Sequence, residues 1–150
     1  MGEGAFSRKF EVEGSDFYNA GRVSTEIKEI LRQIGINAPT VRRVAIAAYE
    51  AEMNVVMYAH HGTVRVEVTP DLVRLLVRDE GPGIENIELA MREGYSTATE
   101  EMREMGFGAG MGLPNIQKNS DQFVIRSEVG VGTELEIEVR VGQVANLSHD

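Results

Sequence analysis

The sequence predicts an α/β fold, a two-layer α+β sandwich whose mixed, mostly antiparallel sheet carries helices on one face. Three observations lead there. Two long helical patterns follow one another in the first third of the chain. Two cleanly alternating strands then meet at Pro70-Asp71 as a tight hairpin, and two more strands close the chain. Sheets of paired antiparallel strands bury one face, and clustered helices supply the cover.

Taken in order, Phe6 to Glu13 reads as a strand with Phe6, Phe10 and Val12 on one side. Ser15 or Asp16 caps a helix whose apolar positions are Ala20, Val23, Ile27, Ile30, Leu31 and Ile34, with Gly35 as its stop. Thr40 or Asn37 opens a second helix running to about His60, with the stripe Val41, Val44, Ala48, Ala51, Val55 and Ala59. Thr63 to Thr69 and Leu72 to Asp79 alternate as strands, and Ile87 to Arg92 reads as a short helix. Glu93 to Gly112 is polar and glycine-rich, too long for a simple connection and of the kind that forms lids or binding loops. A helix from Leu113 to Ser120, strands Gln122 to Ser127 and Thr133 to Val141, and a frayed tail Gly142 to Asp150 complete the chain. No repeat, low-complexity tract or linker divides its 150 residues, so a single domain with its core at about 6–141 is expected.

Composition excludes several classes. A net charge of −9 argues against a nucleic-acid surface. The chain has no cysteine, hence neither disulfides nor a thiolate nucleophile or metal site, and His60, His61 and His149 are badly spaced for zinc. No apolar run approaches the ~20 residues of a membrane span, and no signal-peptide pattern is seen, so a cytoplasmic location is expected.

Chemistry concentrates where polar residues interrupt apolar rows. Asp79 continues the face of Val73, Leu75 and Val77, where a carboxylate needs a donor. Gly81 and Gly83 then turn the chain and are expected to leave open space beside it. An amino group on a planar heterocycle would satisfy that carboxylate, although a turn-initiating Asp before Gly-Pro-Gly reads the same way. Glu50 and Asn54 lie on one side of the second helix, at the border of its stripe. Partial desolvation raises a carboxyl pKa and suits Glu50 to general-base work; Asn54 offers a neutral oxygen of the kind Mg²⁺ accepts. Thr133 leads the inward row Leu135, Ile137, Val139 and Val141. Finally, Gly106, Gly108, Gly110 and Gly112 precede a helix start, which makes a seat for phosphate oxygens.

As an ordered set, Glu50-Ala-Glu-Met-Asn54, Asp79-Glu-Gly81-Pro-Gly83, Gly106 to Gly112 and the final Gly-x-Gly-Thr133 resemble the Bergerat-fold ATPase superfamily of gyrase, Hsp90, histidine kinases and MutL. The phrases EAEMNVVMYA, DEGPGIENIELAMREGYSTA and GFGAGMGLPNI are similar to the small serine/threonine kinases of bacterial partner-switching systems, the switch-kinase branch in particular. The resemblance covers roughly residues 6–141. It implies ATP between helices and a lid, with Asp79 on the adenine amino group and Thr133 supporting through water. It further implies Mg²⁺ on Asn54, Glu50 as catalytic base, and Gly106, Gly108, Gly110 and Gly112 around the phosphates beneath a mobile lid, Glu93 to Met105. Gly81 and Gly83 complete the nucleotide site. The implied substrate is a serine or threonine on a STAS-domain antagonist protein, with a sigma factor or a PP2C-type phosphatase as further partners and a homodimer left open. One departure stands out: an arginine common just before the last glycines is replaced by Gly108 and Ala109, and Arg103 lies earlier in the lid. The rival reading is a nucleotide-gated anti-sigma or partner-binding module with negligible phosphotransfer. A detached histidine kinase catalytic domain and a small-molecule ATPase fit less well.

Overall fold

A computed structural model of the chain describes residues 5–96, 98–100 and 111–142. Its strands are β1 (Phe6–Glu13), β2 (His61–Val68), β3 (Leu72–Glu80), β4 (Gln122–Glu128) and β5 (Gly132–Arg140). Its helices are α1 (Arg22–Ile34), α2 (Ala38–Tyr58), α3 (Ile87–Ala90) and α4 (Gly112–Lys118). The strands form one sheet in the order β1-β2-β3-β5-β4, and all four pairings are antiparallel. The expected mixed sheet is therefore corrected: no parallel pair occurs among the described residues. Between β1 and β2 the chain makes two helices that pack on each other, α1 out and α2 back, so β2 re-enters the sheet running against β1.

Alternation decides which face is buried. In β2 every second residue is buried, and Val73, Leu75 and Val77 of β3 share that face with Leu135, Ile137 and Val139 of β5. Ile27 and Leu31 of α1 and Val44, Ala47, Ala48 and Ala51 of α2 meet them, all fully buried. The opposite face is laced by charge: Arg78 with Glu134 at 3.0 Å, Arg126 with Glu136 at 2.9 Å, and Arg74 between Glu67 and Glu138. A face that carries such ladders is a solvent face, so the described helices lie on one side only.

Two local outcomes differ from the sequence reading. Asp16 caps only a single 3₁₀ turn, Phe17–Asn19, and Ala20 is extended. α1 starts at Arg22, after Gly21 in the left-handed region (φ 97°). No side chain of its own caps it; instead Glu52 of α2 accepts the N–H groups of Gly21, Val23 and Ser24 at 3.0, 3.2 and 2.9 Å. A buried carboxylate on the neighbouring helix thus satisfies the free N–H groups that a helix start leaves, and holds α1 against α2. The second difference is length: α3 stops at Ala90, and α4 runs Gly112–Lys118 in place of Leu113 to Ser120. Two expected helix boundaries hold. Gly35 ends α1 with φ 97°, and Asn37 opens α2, its side chain accepting the Thr40 N–H at 2.9 Å.

Candidate functional site

The pairing of β3 with β5 brings Asp79 beside the start of β5. There the Thr133 backbone N–H donates to Asp79 Oδ1 at 3.0 Å. Among the described residues no donor reaches the second oxygen. Burial raises the Asp79 carboxyl above its ordinary value of 3.8, and the Thr133 N–H offsets part of that rise.

The turn after Asp79 borders the expected open space, but close packing explains its glycines. A Cβ on Gly81 would lie 2.9 Å from Ala59 Cα, so this glycine lets the end of β3 press against the end of α2. Gly83 adopts φ 76°, and a Cβ there would run into the Glu128 carbonyl. Both glycines serve close packing. Gly83 borders the cavity described next, whereas Gly81 does not.

On α2, Glu50 and Asn54 face α4. A Cβ on Gly112, the first residue of that helix, would sit at ordinary contact distance, 3.5 Å, from both Glu50 Oε1 and Asn54 Oδ1. Asn115, one turn further, donates its side-chain amide to Glu50 Oε2 at 3.0 Å. Burial raises the Glu50 carboxyl above 4.5, and the Asn115 amide pulls it partly back. Tyr49 is raised as well, by burial and then by the charges of Glu50 and Glu52.

Between these two ends lies a cavity of about 910 Å³. Glu50, Asn54, Asp79, Gly83, Gly112 and Thr133 all line it, although they are spread over more than half the chain. Its walls are apolar, from Met53, Met57, Val77, Leu89 and Leu135, and Tyr49, Tyr58 and Tyr95 also border it. An apolar chamber with a few convergent polar groups is the form of a small-molecule site. No lysine or arginine lines it among the described residues. Nor do those residues contain a cluster of three or more His, Cys, Asp or Glu able to hold a metal alone. The oxygen pair Asn54 Oδ1 and Glu50 Oε1, with a bare glycine facing it, suits a hard cation that keeps waters and takes further ligands from a phosphate.

Gly106, Gly108, Gly110 and Arg103 lie outside the described residues, as do residues 97 and 101–105 of the expected lid and the tail from residue 143. Sequence reasoning did not single out three residues that the fold brings in. Asn115 is a polar residue inside a short apolar helix, a signal that was legible. Ser127 continues the inward row of β4 and meets Thr133 Oγ1 at 2.8 Å. Glu52 left no local signal, because its partners are about thirty residues away.

The sequence matches the family described as the histidine kinase-like ATPase domain over residues 15–139, most of its length. This chain belongs to that family. Relatives within reach of the family include the serine/threonine-protein kinase RsbT of Bacillus subtilis strain 168, 28% identical over 113 residues that cover 73% of this chain and 79% of that protein. An anti-sigma F factor of Caldanaerobacter subterraneus subsp. tengcongensis is 31% identical over 113 residues, covering 70% and 76%. Among solved structures, a nucleotide-free catalytic domain of histidine kinase ThkA aligns with a TM-score of 0.49 at 14% identity, covering 91% of this chain and 96% of that one. The family's ATPase character agrees with the polar ends of the cavity. No helix among the described residues is long and apolar enough to cross a membrane.

Proposed function

We propose that this chain is an ATP-dependent serine/threonine protein kinase of a bacterial partner-switching system, acting in the cytoplasm on a STAS-domain antagonist protein. One observation carries the reading: a single cavity unites Asp79 and Thr133 at one end with Glu50, Asn54 and Gly112 at the other. Asp79 takes the adenine amino group on its free oxygen, with Thr133 beside it. Gly83, Gly112 and the glycines at 106, 108 and 110 wrap the nucleotide, while Gly81 acts by packing the turn. Asn54 would hold Mg²⁺, which would supply charge neutralisation at the phosphates. Glu50 accepts the proton of the substrate hydroxyl as its oxygen attacks the γ-phosphorus and the bond to the departing ADP breaks. Its half-buried carboxylate and its orienting bond from Asn115 support that role. The name of the RsbT relative supports the reaction type.

The anti-sigma F relatives favour a second reading, a nucleotide-gated module that binds a sigma factor, or a PP2C-type phosphatase, with little phosphotransfer. Glu50→Ala separates the two. Under the kinase reading, transfer of labelled phosphate from Mg-ATP to a STAS-domain protein falls by about 10²–10⁴-fold, while calorimetric ATP binding persists. Wild-type protein that binds ATP yet labels no such partner leaves the binding module as the answer.

A further inference from the structure

Ser127 stands on β4 directly opposite Thr133 of β5. It follows Phe123 and Ile125 on the inward row, so a hydroxyl sits where the pattern places an apolar group. Its oxygen has three partners. The Ile84 N–H donates to it at 2.8 Å, it donates to the Gly132 carbonyl at 3.2 Å, and Thr133 Oγ1 lies 2.8 Å away.

A serine hydroxyl has one proton and two lone pairs. A carbonyl oxygen only accepts, so the single Ser127 proton goes to Gly132. The Ile84 N–H occupies one lone pair of Ser127, and the Thr133 proton fills the other. This is the one arrangement in which all three contacts are hydrogen bonds. It leaves Thr133 Oγ1 with no proton for the cavity, only lone pairs. Asp79, when ionised, is likewise an acceptor alone, and its Oδ1 is already engaged by the Thr133 N–H.

We propose that Ser127 is a positioning residue for base selectivity: it holds the Thr133 hydroxyl as an acceptor, so that the Asp79 end of the cavity admits a base offering an amino group and disfavours one offering an oxygen. Ser127 does not line this cavity, whereas Thr133 and Ile84 both do, so it acts through them. It also ties the Gly83 turn to the strand that carries Thr133, fixing two walls with one hydroxyl. The inference rests on the nucleotide reading above. The adenine amino group carries two N–H donors and suits two acceptors. Hypoxanthine places an oxygen at the same position, facing lone pairs on both sides.

The test is calorimetric binding of Mg-ATP and Mg-inosine triphosphate to the full chain. Wild type favours ATP. Ser127→Ala frees the Thr133 proton to turn toward the cavity and lowers the ATP-to-ITP affinity ratio by about 5–10-fold, while Ser127→Thr stays within about two-fold of wild type. Thr133→Val lowers the ratio to a similar extent, and Ser127→Ala added to it lowers the ratio no further. Should Ser127→Ala fail to fold, Ser127→Cys keeps the shape with a weak acceptor and must lower the ratio too. An unchanged ratio in a folded Ser127→Ala or Ser127→Cys protein overturns the role of Ser127 and leaves ATP binding intact. A wild type that binds neither nucleotide sinks the nucleotide reading itself.

Discussion

On the flank of α2 that meets α1, the Glu52 carboxylate is 2% exposed and accepts three backbone N–H groups. On the flank that meets the cavity, Glu50 is half-buried and accepts one neutral amide, from Asn115. The sheet repeats the contrast. Asp121, at the start of β4, loses solvent to burial but gains the Arg140 N–H at 2.7 Å and the Arg43 guanidinium at 3.3 Å, and ends below its ordinary value. Asp79, at the end of β3, has one N–H and ends above it. Glu52 has donors on both oxygens and Asp121 has two on Oδ2, one of them charged, whereas Glu50 and Asp79 each have one neutral donor. The cavity carboxylates end above their ordinary values because burial outweighs that single donor.

The contrast can be broken first at Glu52. Glu52→Ala leaves three N–H groups at the start of α1 without their acceptor, and the expected loss is on the order of 3 kcal/mol. The midpoint and slope of urea unfolding measure it, and hydrogen exchange at Val23 and Ser24 locates it. A loss below ~1 kcal/mol would mean that the cap adds little beyond water.

Asp121→Asn comes next. This residue is largely exposed, so solvent screens its ion pair and the loss stays under about 1 kcal/mol. Its sign is set by linkage: a lowered folded value means the unfolded state binds the proton more tightly. The stability it contributes is therefore present above 3.8 and is lost as pH falls through the lower folded value. The variant should match wild type in strong acid and trail it at neutral pH, read by thermal unfolding across that range.

Glu50 carries the opposite sign. Burial makes the folded chain hold this proton more tightly than the unfolded chain does. Its contribution to stability is thus greatest below 4.5 and falls as pH rises through the raised folded value. Glu50→Gln is expected to raise the unfolding midpoint of the ligand-free protein at pH 7, with the gain vanishing below pH 4.5. A loss of stability at pH 7 would place Glu50 with Glu52 as a structural group.

The finest test is Asn115→Ala. Removing the amide leaves burial of Glu50 unopposed, so its carboxyl rises further. The acid limb of the phosphotransfer pH profile should move to higher pH, with kcat at its plateau changed less than the limb. An unmoved limb would detach Asn115 from Glu50 during turnover.

The features that were legible in the sequence are those that neighbours in the chain decide. Strand alternation placed β2, β3 and β5 within about two residues of their ends, and Gly35 marked the end of α1 where a positive φ is required. The ordered polar set was legible too, since Glu50, Asn54, Asp79, Gly83, Gly112 and Thr133 meet at one cavity. What escaped depends on distant contacts. Glu52 reads as an ordinary helix residue until α1 is laid across it. Asn115 gains its role only when α4 docks on α2, and Gly81 reads as an opener until Ala59 arrives beneath it. Asp16 carried a true capping signal, but Gly21 broke the chain before the helix could begin.

The aromatic residues around the cavity have a practical consequence. The chain contains four tyrosines and no tryptophan. Tyr49, Tyr58 and Tyr95 border the cavity, and Tyr18 alone stands away from it, 96% exposed. Ultraviolet emission from the unlabelled protein therefore comes mostly from rings beside the chamber, with no indole to mask it. Quenching on addition of a ligand is a built-in optical gauge of occupancy, and Tyr18→Phe removes its main background.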